Sequence, residues 1–168
     1  MHLASLTYTE HAGEQREWRL EGLSFGLINL VVGMNAEGKT RTLRAINNLA
    51  SLVGGLRREG ASTARFEARF ENGDTVHVYK LELRDGAVVL EELLIGDRRY
   101  LHRTEGGSGS IWAEELQMMI RFHVPADELA VVSRRDSIQH PFFEDLHAWG
   151  HSLRHYGFGT PMGQDRAT

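Results

Sequence analysis

The chain opens on two short stretches that read as strands, residues 2–9 and 17–21, around the polar turn "EHAGEQ". Residues 28–32, "INLVV", are nearly all apolar, the pattern of a strand buried on both faces. A glycine loop follows. From about Lys39 to Leu52 the period turns helical, with Leu43, Ile46, Leu49, Ala50 and Val53 on one side, and the glycines at 54–55 stop it. In "TARFEARF" the residues Ala64, Phe66, Ala68 and Phe70 alternate with Arg65, Glu67 and Arg69, as in a half-buried strand. Asn72-Gly73 is a hairpin dipeptide, "TVHVYKLELR" returns, Asp85-Gly86 turns again, and "AVVLEELLI" and "RRYLHR" follow. These signals predict an antiparallel meander over about 63–103.

The remainder is less regular. "TEGGSGS" reads as an exposed, flexible connection, and residues 110–124 fit a strand and a helix equally. "PADELAVVS" and "QHPFFEDLHAWG" read as short helices within about 125–150, the first begun by Pro125 and the second stopped at Gly150. "LRHYGFG" reads as a last strand and 161–168 as a loose tail. There is no internal repeat.

Composition narrows the class. A chain of 168 residues, 41% hydrophobic and 25% charged, is about one domain. The absence of cysteine excludes disulfides and thiolate metal sites. The N-terminus lacks the basic and apolar blocks of a signal peptide, and "FGLINLVVGM" is too short to span a bilayer. The expectation is a cytoplasmic protein without membrane contact. A net charge of −4 lacks the strongly basic footprint of a nucleic-acid binder, so DNA would be met only through a complete assembly. Arg57–Arg58, Arg98–Arg99 and Arg134–Arg135 read as solvated surface pairs.

The chemistry lies at residues 33–40. Gly33, Gly38, Lys39 and Thr40 match G-x-x-x-x-G-K-[ST], set between an apolar strand pattern and an amphipathic helix pattern. The glycines let successive backbone N–H groups point into one concavity, and the helix start adds the positive end of its dipole. Lys39 would meet the β- and γ-phosphates, and the Thr40 hydroxyl would bind Mg²⁺, a hard ion that prefers oxygen. The expected binding set around ATP·Mg²⁺ is Gly33, Asn35, Ala36, Glu37, Gly38, Lys39, Thr40 and Arg41. No N-K-x-D guanine motif is present.

"FGLINLVVGMNAEGKT" resembles the N-terminal strand and P-loop of ABC-class ATPases of the RecF, SMC and OLD group. The meander, with "EELLI…RRYLHR", and "SRRDSIQHPFFEDLHAWGHSLRHYGFG" are similar to the N-terminal lobe of AAA-type ATPases in that group. The resemblance implies a mixed α/β (α+β) fold: an ABC-class P-loop NTPase lobe with a P-loop strand and helix plus an antiparallel meander. Residues 1–160 would form an incomplete ATP-binding head lobe. It also implies ATP-gated dimerisation, with a second copy or a C-terminal ATPase lobe as partner, and a role in DNA maintenance or phage defence. Gln139 resembles the glutamine that senses Mg²⁺ and the γ-phosphate. Glu37 departs from the usual Ser, Ala or Gln, which bears on affinity.

Hydrolysis needs a Walker B aspartate and a carboxylate that orients the nucleophile. "AVVLEE" at 87–92 has a superficial Walker B form, but the Asp85-Gly86 turn assigns it to the antiparallel sheet. No signature sequence is found. The chain is expected to be the N-terminal part of a larger ATPase, binding ATP without hydrolysing it unaided. The main alternative is a non-enzymatic, oligomerising protein-interaction module; a complete small P-loop kinase is a third reading. His147, His151 and His155, with Glu144, have metal-like spacing, but Gly150 is expected to interrupt their helix. Ser133, Asp136 and His140 lack a nucleophile elbow. Trp112, Trp149, Phe142 and Phe143 read as core.

Overall fold

The structure is a computed structural model that describes residues 1–34, 38–56 and 63–156. Eight antiparallel strands form one sheet in the order β2-β1-β3-β4-β5-β6-β7-β8. They are β1 (His2–Glu10), β2 (Trp18–Ser24), β3 (Thr63–Asn72), β4 (Thr75–Arg84), β5 (Ala87–Ile95), β6 (Arg98–Thr104), β7 (Ser108–Ala113) and β8 (Met118–His123). Three helices are added: α1 (Lys39–Val53), the single-turn α2 (Ala130–Ser133) and α3 (Glu144–Ser152). A 3-10 turn, Pro141–Phe143, leads into α3.

Strict alternation builds the sheet. Ala64, Phe66, Ala68 and Phe70 of β3 are buried with Tyr79, Leu81 and Leu83 of β4, while Arg65, Glu67 and Arg69 face solvent. Tight turns at Gly73 and Gly86, both with positive φ, close the hairpins. On the inner face the sheet side chains share one cluster with Ala45, Leu49, Leu52 and Val53 of α1 and Leu146 of α3. Phe70 meets Trp149 edge-on at 4.8 Å.

The expected mixed α/β P-loop NTPase lobe is overturned. Such a lobe is a mixed fold built on a parallel sheet, whereas every strand pairing here is antiparallel and the described helices are few and short. The stretch 28–32 forms no strand: Leu27, Ile28 and Leu30 are 93%, 95% and 87% exposed. The chain leaves the sheet after Ser24, where the Asn29 side chain accepts from the Gly26 N–H at 2.8 Å and donates to the Gly26 carbonyl at 2.9 Å. A two-sided apolar run becomes a buried strand only with neighbouring strands beside it, and among the described residues none pairs with it.

Smaller expectations also change. Part of the glycine–serine run is strand, since β7 begins at Ser108, and residues 110–124 resolve into β7 and β8 around a turn in which Gln117 has φ 53°. Helix α3 continues through Gly150, and 153–156 form no strand. Residues 157–168 lie outside the described residues.

Two histidines are buried: His77 in β4 and His140 before the 3-10 turn. Burial holds both below the ordinary imidazole range, for His77 against the nearby Asp145 and for His140 against a backbone hydrogen bond and Asp136. The unfolded chain therefore binds these protons first as pH falls. Stability should be fully present above the unfolded histidine pKa, about 6.5, and decline as pH drops below it. Urea unfolding at pH 7.5 and 5.5 checks this; His140→Phe should flatten the decline.

Candidate functional site

Helix α1 begins inside the phosphate-loop motif. Gly38 is its N-cap, at φ 90°, and an added Cβ there would lie 3.4 Å from the Trp18 ring. The first helical bond runs from the Thr42 N–H to the Gly38 carbonyl at 2.8 Å. This leaves the N–H groups of Lys39, Thr40 and Arg41 without helical acceptors. Gly38, the N-cap, has no side chain to cap them, and the first turn holds no acidic residue. The end of α1 is thus an open, positive donor cluster.

The cluster faces a cavity of about 690 Å³ between α1 and strands β1 and β2, lined by Gly38, Lys39, Thr40, Arg44 and Asn48 from the helix side. Tyr8, Glu10 and Trp18 line the strand side. Arg41 bridges the two: its Nε and one terminal nitrogen donate to Glu10 Oε2 at 3.0 and 2.7 Å, and its Cζ stands 4.7 Å from the Trp18 ring centroid. Tyr8 meets Trp18 edge-on at 5.9 Å. Burial, helped by the Glu10 charge, pushes the Tyr8 hydroxyl up to about 12, so it stays neutral.

Lys39 turns back onto the loop, donating to the Gly33 and Met34 carbonyls at 2.5 Å each. Its ammonium is therefore held where a phosphate could replace two neutral acceptors. Thr40 is exposed and lines the cavity, offering one hard oxygen. That suits Mg²⁺, which keeps several waters and takes few protein oxygens beside substrate phosphates. Asn35, Ala36 and Glu37 lie outside the described residues.

Gln139 is not brought to this cavity. Its side-chain amide donates to Glu115 at 2.5 Å and its backbone carbonyl accepts from the Glu114 N–H, which ties it to the β7–β8 turn. Glu91 and Glu92 lie on β5, antiparallel to both its neighbours. His147 and His151 stack at 5.9 Å on α3, and among the described residues no group of three or more His, Cys, Asp or Glu gathers as a metal site.

Sequence reasoning did not select Tyr8, Glu10, Trp18, Arg44 or Asn48. Trp18 and Glu10 are cross-strand partners at the mouth of the β1–β2 hairpin, and only the return of α1 beside that hairpin joins them to Lys39. Comparison with protein-family models, curated proteins and solved structures returned no match. Among the described residues no helix is long and apolar enough to cross a membrane.

Proposed function

We propose that the chain binds Mg·ATP at the N-terminus of α1, in the cytoplasm, and does not hydrolyse it unaided. The observation that carries this reading is the coincidence of the motif with a helix start that has a glycine N-cap and opens on a cavity. Phosphates would take the N–H groups of Lys39, Thr40 and Arg41 and the Lys39 ammonium, and Mg²⁺ would rest on Thr40. Among the described lining residues the one carboxylate is Glu10, and Arg41 occupies it, so none of the described residues stands ready as a base to orient a water. The link to an ABC-class ATPase of DNA maintenance or phage defence rests on the sequence resemblance alone.

The test is an amide-resolved NMR titration with Mg·ATP. The Lys39, Thr40 and Arg41 N–H signals and the Trp18 indole N–H should move together and saturate. Saturable shifts confined to other residues would overturn the assignment.

A second reading has its own observation. Leu27, Ile28, Leu30, Val32 and Met34 are each at least three-quarters exposed, a contiguous apolar stretch of the kind that marks an interaction surface. In this reading the chain is a non-enzymatic module that oligomerises through residues 27–34. Sedimentation velocity decides: an oligomer dispersed by Ile28→Asp with Leu30→Asp, and indifferent to ATP, would favour it.

A further inference from the structure

We infer that the outer face of β6–β8 is a second anion site, which takes phosphate or diphosphate groups. Side chains two apart on a strand share a face. The register places His102, Ser110 and Arg121 in one row across three strands, with Ser108 and His123 paired in the next row and Thr104 two residues beyond His102. Neighbouring strands lie about 4.8 Å apart and alternate residues about 7 Å apart. The six side chains therefore cover a patch roughly 10 by 7 Å, the size of one or two phosphates. Leu101 and Arg103, which alternate with His102 and Thr104 on β6, point inward and are fully buried.

Arg134 bounds the groove at the edge of the sheet, along β8. It arrives from the end of α2, donates to the His123 carbonyl at 3.4 Å, and lies over the Phe122 ring at 5.8 Å. The result is an open groove of about 790 Å³ lined by two arginines, two histidines and three hydroxyl side chains, with no carboxylate in the lining. Ser108 and His123 already share a hydrogen bond at 3.2 Å, which sets both side chains toward the groove.

The rest of the same sheet face shows the contrast. Arg65 pairs with Glu82, Lys80 with Glu67, and Arg99 with Glu92. Glu92 also stands 3.5 Å from His102 and marks the acidic limit of the groove. The Arg121 side chain, by contrast, is exposed and has no ion-pair or hydrogen-bond partner among the described residues. Forked guanidinium donors, neutral hydroxyl donors and imidazole N–H groups on one shallow face suit tetrahedral oxyanions. The lining presents no broad free ring for a nucleobase, since Phe122 alternates with Arg121 and His123 and is buried in the core.

The experiment uses the full chain carrying Lys39→Ala, which silences the loop at α1, and titrates inorganic pyrophosphate at low ionic strength. Amide signals of Gly109, Ser110, Arg121 and His123 should shift along one saturable curve. Arg121→Ala with Arg134→Ala should weaken that curve at least about tenfold and leave signals of β3 and β4 in place. No saturable shift at these amides, or the same curve in the double variant, would overturn the proposal. A short single-stranded oligonucleotide separates the sources. Tighter binding than pyrophosphate on the same amides means the phosphates come on a strand; equal or weaker binding there means a free phosphate compound. Because the Lys39→Ala background is used, failure here leaves the nucleotide site at α1 untouched.

Discussion

Arg103→Met is expected to destabilise the fold by about 3–5 kcal/mol. Arg103 and Glu91 are both fully buried. The Glu91 carboxylate accepts from the Ala130 and Val131 N–H groups at 2.8 and 2.9 Å, from the Tyr79 hydroxyl at 3.0 Å and from Arg103 at 3.4 Å. Burial pushes this carboxyl up against the donors that hold it down. Arg103 in turn donates to the Glu128 carbonyl and, at 2.6 Å, to the Pro125 carbonyl. The pair thus fastens residues 125–131 to the sheet. Methionine fills much of the arginine's volume but leaves a buried carboxylate without its counter-charge and two carbonyls without their donor. For a chain of this length the loss corresponds to a fall in Tm of roughly 6–20 °C, read by circular dichroism. Glu91→Leu combined with Arg103→Met should cost less than either change alone, because both charges leave together. A single variant within about 1 kcal/mol of wild type would show that the network does not hold this segment.

Gly150→Ala should also destabilise, although alanine is the better helix former by about 1 kcal/mol. A Cβ at Gly150 would stand 2.5 Å from the Ala50 carbonyl oxygen and 2.7 Å from the Gly54 nitrogen. A Cβ at Gly54 would reciprocally meet Gly150 at 2.7 Å. The end of α1 and the last turn of α3 therefore touch backbone to backbone, and no rotamer change can relieve the overlap. Overpacking of this kind costs about 1–3 kcal/mol and more where backbone must shift. We expect a net loss of about 2 kcal/mol in urea unfolding. A gain in stability, as propensity alone would give, would refute this packing.

These two positions show what the residues could and could not say. The alternation of "TARFEARF" and the dipeptides Asn72-Gly73 and Asp85-Gly86 read directly onto β3, β4 and β5, because strand periodicity and turn chemistry are local. The helix from Lys39 was equally legible, with its stop at Gly54. Gly150 read as a helix stop because glycine usually is one; its use as a contact surface against Gly54 is a long-range fact. Glu91 read as one of two acids after an apolar run, and nothing local shows that two N–H groups of α2 converge on it. The run 28–32 misled for a related reason. Apolar patterning reports what a segment would bury, not whether neighbours are present. At the candidate site, the Lys39 and Thr40 side of the cavity was legible from the motif. The Trp18, Glu10 and Tyr8 side was not, since it depends on how the β1–β2 hairpin lies beside α1.

The most direct measurement is a calorimetric titration of Mg·ATP into the wild-type chain and into Lys39→Ala. Losing the charge-assisted phosphate contacts should cost about 1.5–3 kcal/mol, a ten- to hundredfold weaker Kd. Equal affinity in the two proteins, or no binding by the wild type, would contradict a nucleotide site at the start of α1.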